Sequence, residues 1–367
     1  MKEETEFVRL DGCFAEGGGQ IVRSALGLSA LLGIPFDIHS IRHGRCTSGL
    51  KAQHVTAITA LQELTKATVI GGKAGSETLS FKPGQFVPKD LKIDVGTAGS
   101  ITLVIQALIL PMIFAKKRMN VKITGGTDVE WSMPIDYLKE VLIPQLRRYA
   151  HIECNIHRRG YYPKGNGLVE MDVRPRFDLS TMRSAPSIQL VKANPLVMVR
   201  GVAHASHDLA QAKVAERMAQ AAAKALKDLN VPIDIRQEYH TAASTGCGIA
   251  LFAYRGVGGE FDVEDPQILG ADALGRMGVP AEDVGAKAAR LLKTQIGADA
   301  PVDEFLADNL VPFIALCGGV LKTTKISEHT KANAYVVESF LGKCLDVDGE
   351  SRIIRGSLNV FTRELPI

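Results

Sequence analysis

Hydrophobic positions in this chain gather into long, nearly unbroken runs, and each run opens beside a cluster of glycines. Glu16-Gly17-Gly18-Gly19-Gln20 precedes a run that continues through Ala30-Leu31-Leu32 and stops at Gly33-Ile34-Pro35. Gly96-Thr97-Ala98-Gly99-Ser100 precedes a second, Ile101 to Phe114, and a third, Phe305 to Leu316, lies between Gly297 and Gly318-Gly319. Such runs predict helices buried in a core. Short extended segments follow, such as Phe36-Asp37-Ile38 and Val121-Lys122-Ile123. The alternation predicts an α/β (α+β) architecture of repeated units, and its irregular spacing excludes a solenoid.

The middle of the chain reads differently. Leu209 to Leu229 is rich in Ala and Lys and hydrophilic on one face, and strand-like Ile233-Asp234-Ile235 and Gly248 to Tyr254 follow it. Pro175, Pro186 and Pro195 precede this block, and Gly270, Gly275 and Gly278 close it. That punctuation predicts a smaller inserted α/β domain at 184–277 within a discontinuous main domain, 1–183 and 278–367. The helix Ala281 to Ile296 would return the chain to the main body.

Composition sets limits on this picture. With 367 residues, 46% hydrophobic and 23% charged, the chain has room for two domains and a substantial core, as in a soluble globular protein. The longest apolar run, Ile101 to Ala115, is too short to span a bilayer and contains Gln106, and no secretory apolar segment follows Met1-Lys2-Glu3-Glu4. Six cysteines (Cys13, Cys46, Cys154, Cys247, Cys317, Cys344) show no CxxC pair and no metal-site spacing, which predicts reduced thiols in a cytoplasmic protein. A net charge of +3 is too small to imply nucleic acid by itself, because phosphate binding needs local clusters. Two exist, Arg42-His43-Gly44-Arg45 and Arg158-Arg159, each equally readable as a solvated face. Aromatic content of 6% leaves little for an extended stacking platform, so one terminal phosphate suits the chain better than a long strand.

The candidate chemistry sits at the glycine clusters. Consecutive glycines at 17–19 let backbone amides approach an anion, and the helix start behind them adds partial positive charge. Arg23 lies about one turn inside that helix. Glu16 would repel a phosphate unless a divalent cation lay between them, which marks it as a magnesium or manganese ligand. No Gly-Lys-[Ser/Thr] ending is present, so this is not a Walker A loop. Arg42 and Arg45 offer forked donors suited to phosphate, and Gln53-His54 begins the next helix within reach of the same ligand. His329, among small polar residues just before an apolar helix, is the best-placed nucleophile. An imidazole can attack phosphorus and carry a phosphoryl or nucleotidyl group. Asp308 could orient that histidine or bind a ribose hydroxyl. A capping loop at His329 and a charged helix entry at Asp308 are the plainer readings.

Together these segments resemble the RNA 3′-terminal phosphate cyclase family. The match runs through Glu16-Gly17-Gly18-Gly19-Gln20, Arg42, Arg45, Gln53-His54, Asp94-Val95-Gly96-Thr97-Ala98-Gly99-Ser100, Gln106 and Gly125-Gly126-Thr127-Asp128. It continues through Arg159-Gly160-Tyr161-Tyr162-Pro163-Lys164-Gly165, Leu306-Ala307-Asp308 and Ser327-Glu328-His329-Thr330. The resemblance implies a large domain of repeated βαβαββ units with a smaller inserted α/β domain. It also implies ATP as co-substrate, a divalent cation (Mg2+ or Mn2+) at Glu16, and an RNA with a 3′-phosphate end as partner. His329 would take AMP from ATP, pass it to the RNA phosphate, and the neighbouring 2′-hydroxyl would close a 2′,3′-cyclic phosphate. Gln106, Pro134 and Phe305, Leu306, Ala307, Asp308 and Asn309 match ATP-contacting positions. Arg23, Arg42, Arg45, Gln53 and His54 match positions around the phosphates and the RNA end.

Several positions depart from the family pattern. Phe305 stands where tyrosine or histidine is frequent, Asn309 replaces glutamine, and Met133-Pro134 replaces a proline pair near the adenine. Gly165-Asn166-Gly167 breaks a glycine run, and Ser48 stands where proline is common. These touch nucleotide selectivity and remove no charged group. Two other readings compete: a non-catalytic cyclase-like factor in ribosomal RNA processing, whose branch lacks the histidine, and an enolpyruvyl transferase of related architecture, which needs no such histidine.

Overall fold

The structure, a computed structural model, describes residues 6–357. Its first glycine-opened run forms the helix of a unit that recurs. The first unit is β1 (Val8–Asp11), α1 (Gln20–Leu32), β2 (Phe36–His39), α2 (Ala52–Thr65), β3 (Thr68–Ile70) and β4 (Leu79–Lys82). Its sheet runs β1-β2-β4-β3, with β1 and β2 parallel across the α1 crossover and the other pairs antiparallel. Gly33 ends α1 in the left-handed conformation at φ 71°, the backbone state that favours glycine.

The second unit repeats this with β5 (Leu91–Asp94), α3 (Ile101–Ile113) and β6 (Met119–Gly125). A helical run follows, made of α4 (Ile135–Tyr137), a π-helical turn (Leu138–Leu142) and α5 (Ile143–Leu146), and then β7 (Ala150–Arg158) and β8 (Gly167–Pro175). The sheet order β5-β6-β8-β7 and its one parallel pair copy the first unit.

The third unit is interrupted. It begins with β9 (Ile188–Leu190), and the chain then leaves for β10 (Leu196–Ser206), α6 (Val214–Leu226), β11 (Ile233–His240), β12 (Cys247–Val257), β13 (Glu260–Phe261), β14 (Gln267–Leu274) and α7 (Ala281–Gly297). It resumes with α8 (Glu304–Cys317), β15 (Gly319–Lys322), α9 (Glu328–Leu341), β16 (Leu345–Asp348) and β17 (Ile353–Gly356). Again β9 and β15 are parallel, and the order β9-β15-β17-β16 is that of the other two sheets.

The interruption has its own core. Val199, Met218, Leu226, Leu251 and Leu269 pack with Ala281, Val284, Ala288 and Leu292 of α7. The helix expected to return the chain to the main body therefore packs on α6 and the inserted sheet; Gly270 lies within β14, and Gly275 and Gly278 mark the turn from β14 into α7 inside that unit. At the other end β9, expected inside the insertion, pairs with β15 of the main body. The continuous helix expected over 209–229 is shorter, with 3-10 turns at His207–Leu209 and Lys227–Leu229 flanking α6.

The central helices of the three units meet in one main core, α1 against α3 and α9, and α8 against α9. Every residue of α1 is buried, including Gln20, Arg23 and Ser24. Those three polar side chains must find partners inside the protein, and their partners lie on α3 and α9. None of the described helices is long and apolar enough to cross a membrane. All six cysteines are free thiols.

Candidate active site

At the start of α9, Ser327 caps the helix by accepting from the Thr330 amide at 2.9 Å, and the Thr330 hydroxyl accepts from the Ser327 amide at 3.3 Å. His329 thus stands in the first turn of α9, not in a loop ahead of it. Asp308 of α8 secures this cap: one carboxylate oxygen accepts from the Ser327 hydroxyl at 2.6 Å and from the Thr330 hydroxyl at 2.5 Å. Asn333 closes the seam by donating to the Asp308 carbonyl at 2.6 Å. Asp308 is buried, and burial pushes its carboxyl up to about 7 despite the two hydroxyl donors. Its hydrogen-bonding partners are the two cap hydroxyls beside His329.

On the open side, His329 Nδ1 lies 3.0 Å from Glu16 Oε1, and Glu16 Oε2 lies 2.8 Å from an Arg45 guanidinium nitrogen. Burial alone would raise the Glu16 carboxyl, but His329 and Arg45 outweigh it and hold the group below the usual carboxylate range. His329 Nδ1 has no hydrogen-bond partner among the described residues, so its nearness to Glu16 is a close approach without an aligned hydrogen bond.

The glycine loop brings a set of donors together. A Cβ on Gly18 would lie 2.2 Å from Glu16 Oε1, and one on Gly19 would lie 2.1 Å from His54 Nε2 and 3.1 Å from an Arg23 NH1. Only glycine permits that approach. His54 is buried, and its Nδ1 accepts from the Lys51 amide at 3.0 Å, so the ring proton sits on Nε2, which has no partner among the described residues. Burial first, and then Arg23 and Arg42, push this imidazole down to about 3, so it is neutral and a donor. Arg42 Nε also lacks a partner, and Arg42 holds a left-handed backbone at φ 57°. Arg23 is buried, and burial lowers its guanidinium to about 10 against the opposing pull of Glu16. It donates Nε to Gln106 Oε1 at 2.9 Å and NH2 to Gln20 Oε1 at 2.5 Å. Buried donors without acceptors cost about 1–3 kcal/mol each, and this cradle holds two of them, His54 Nε2 and Arg42 Nε.

Gln106 links this cradle to α8. Its amide donates to Asn309 Oδ1 at 2.9 Å, and Asn309 donates to the Phe305 carbonyl at 2.8 Å. The side chain one methylene shorter than glutamine thus engages both its oxygen and its nitrogen. Phe305 is half exposed and meets Tyr137 edge-on, with centroids 6.4 Å apart. The Tyr137 hydroxyl donates to Asp303 Oδ1 at 2.5 Å, and Asp303 caps α8 at Leu306 N, 2.8 Å. Leu306 and Ala307 are buried in the core. Pro134 is buried at the start of α4, beside Met133, whose carbonyl accepts from Thr102 at 2.6 Å. Gln53 is half buried, its Oε1 3.6 Å from where a Cβ on Gly99 would lie.

Some of this was not read from the sequence. Gln20 donates to Asn333 Oδ1 at 3.0 Å and Ser24 to the same atom at 2.5 Å, tying α1 to α9 directly beneath His329. The available signal was polar residues four apart in an apolar run, Gln20 and Ser24, and Asn333 four after His329. Arg159, read as part of a surface cluster, has 2% exposure and is clamped by Asp136 at 2.6 Å and Asp128 at 3.2 Å.

The family model for RNA 3′-terminal phosphate cyclase matches residues 14–347. The chain belongs to that family. It is 42% identical to a protein named RNA 3′-terminal phosphate cyclase from Pyrococcus furiosus over 353 residues, 94% of this chain and 98% of that one. The protein of the same name from Pyrococcus abyssi is also 42% identical, over 94% of this chain and 96% of its own length. For the Archaeoglobus fulgidus protein the figures are 38%, 95% and 100%. In this member of the cyclase family every site residue singled out above, from Glu16 to His329, falls inside the matched stretch.

Proposed function

We propose that this enzyme converts an RNA 3′-phosphate to a 2′,3′-cyclic phosphate at the expense of ATP, with His329 as the carrier of AMP. The observation that carries the reading is the pairing of His329 with an ionised Glu16 at the edge of a cradle made of unpartnered donors. His329 Nε2 attacks the α-phosphorus of ATP, the bond to the β-phosphate breaks, and pyrophosphate leaves. An oxygen of the RNA 3′-phosphate then displaces the imidazole, giving an RNA end joined to AMP through a diphosphate. The 2′-hydroxyl attacks the 3′-phosphorus, AMP departs, and the ring closes. Adenylylation is needed because a bare phosphate would have to expel oxide. The last step is accelerated by the ribose, which holds the 2′-hydroxyl beside its target.

The chain's own residues divide the work. Arg23, Arg42, Arg45, Gln53 and His54 receive the RNA phosphate, and their donors neutralise charge that grows on phosphate oxygens in each transition state. Gln106, Pro134 and the stretch Phe305 to Asn309 hold the nucleotide, with Phe305 offering a face to the adenine. Glu16 is an ionised, partly exposed carboxylate beside the phosphate cradle, a donor that suits a magnesium or manganese ion shared with substrate phosphates. Such an ion would offset charge on the phosphates. The division of the chain that best fits its two cores assigns β10 through α7 to an inserted unit and the rest to the cyclase body.

A substrate with 2′-deoxyribose at its 3′-phosphate end tests the order of steps. With ATP it is expected to accumulate the adenylylated end and no cyclic product, while RNA ending in a 3′-hydroxyl stays unchanged. Gel separation of the three ends reads the result. A 3′-hydroxyl RNA that reacts as fast as the 3′-phosphate form overturns the proposal.

A further inference from the structure

The chain's one tryptophan is its most conspicuous surface residue. Trp131 is 91% exposed and holds a left-handed backbone at φ 64°, a conformation unfavourable for a bulky side chain. The loop that presents it is not loose. Asp128 and Asp136 at its two ends are both gripped by the buried Arg159, and Ser132 closes a turn on the Val129 carbonyl at 2.9 Å. A rigid loop that displays a fully solvated indole invites a stacking partner.

The adjacent loop carries a second exposed aromatic. Tyr161 bridges to Asp128 in parallel fashion, which sets Tyr162, 77% exposed, on a neighbouring loop beside Lys164. Both loops abut the glycine segment 96–100: a Cβ on Gly126 would lie 2.5 Å from the Ala98 carbonyl, and one on Gly165 2.5 Å from the Thr97 carbonyl. Gln53 touches the same segment at Gly99. The surface that carries the two aromatics thus borders, through segment 96–100, the Gln53 of the phosphate cradle.

It continues onto the inserted unit. Glu130, next to Trp131, pairs with Arg276 at 2.6 Å. Arg276 lines a cleft of about 390 Å3 with Lys287 and Arg290, against one carboxylate, Asp283. Lys287 and Arg290 are exposed, three residues apart on α7, and form no ion pair with a described residue. Two exposed rings followed by a basic cleft, leading away from a phosphate cradle, match the chemistry of single-stranded RNA: bases to stack and phosphates to neutralise.

We propose that Trp131 and Tyr162 stack bases of the RNA strand just 5′ of the reacting phosphate, and that Arg276, Lys287 and Arg290 carry the phosphates beyond them. The proposal rests on the RNA reading of the site given above. It makes the inserted unit part of the substrate interface. ATP is held apart from these two rings, by Gln106, Pro134 and the stretch of α8 around Phe305.

Because Trp131 is the only tryptophan, its fluorescence reports on this surface alone. A hexanucleotide with a 3′-phosphate is expected to quench it in the full-length protein, and ATP without RNA is not. Trp131→Ala is expected to raise KM for the hexanucleotide about ten-fold and to abolish its advantage over a dinucleotide 3′-phosphate. Lys287→Gln with Arg290→Gln should lower the slope of log KM against log salt by about 0.7 per charge removed. Absence of quenching by RNA, quenching by ATP alone, or hexanucleotide and dinucleotide KM values that move together would each overturn the strand track. Failure of the cyclase reading has a different signature, a chain that takes no AMP from ATP at all.

Discussion

Arg23→Met is expected to lower kcat/KM for RNA 3′-phosphate by about 10²- to 10³-fold, the loss typical of a donor aimed at developing charge. Three features of the side chain support so large an effect. It is buried, so its charge acts through a poorly screened medium. Its Nε and NH2 are fixed on Gln106 and Gln20, so it needs no reorganisation when phosphate arrives. Its NH1 borders Gly19 alongside the neutral His54, whose Nε2 has no acceptor of its own. The variant also unpairs the buried Gln20 oxygen, at about 1–3 kcal/mol, and the half-buried Gln106 oxygen, so its melting temperature should be measured in parallel. Arg23→Lys keeps the charge but not the fork, and is expected to recover stability better than activity. A Met variant that cyclises RNA at the normal rate would remove Arg23 from the phosphate site.

Asp308 is expected to give the largest pH-dependent change in stability. Its carboxyl is raised from about 4 when unfolded to about 7 when folded, chiefly by burial. Between those values the folded chain keeps a proton that the unfolded chain has released. The stabilisation is complete below about pH 4 and is lost as pH rises through 7. Asp308→Asn carries no such proton, so the stability difference, wild type minus variant, should fall with rising pH over that window by on the order of 4 kcal/mol. The difference is the quantity to measure. His54 and His204, pushed down by burial to about 3 and about 4, contribute the opposite slope below pH 6.5 in both chains. Urea unfolding at a series of pH values reads it, and parallel curves would place the titration elsewhere. Asp308→Ala is harsher: it strands the Ser327 and Thr330 hydroxyls and loosens the cap that fixes His329.

The repeat architecture was legible because glycine clusters and apolar runs are local signals. Each run at Gln20, Ile101 and Glu304 became a buried crossover helix because a chain of apolar residues has nowhere else to go. The same reading misplaced α7, since its apolar stripe of Ala281, Val284, Ala288 and Leu292 says that it packs, but not on which sheet. Glu16, Arg23, His54 and His329 were nameable from residue type and setting, and they do converge. The partners that hold them were not. Gln20, Ser24 and Asn333 are unremarkable in one dimension and are joined only when α1 and α9 cross. Arg159 shows the limit plainly. Two adjacent arginines look alike as letters, yet the register shift between Ile156 and Arg158 breaks the strand alternation at the end of β7, leaving Arg158 half-buried on Asn166 and Arg159 buried between Asp128 and Asp136.

The central claim is that His329 accepts AMP. Incubating the chain with ATP labelled at the α-phosphate and magnesium or manganese, then quenching and digesting it, tests that claim directly. The expected result is label on the peptide containing His329, stable in alkali and released by acid as a phosphoramidate, and absent from His329→Ala of unchanged melting temperature. Label that persists in His329→Ala, or a wild-type chain that cyclises RNA without ever becoming labelled, would contradict it.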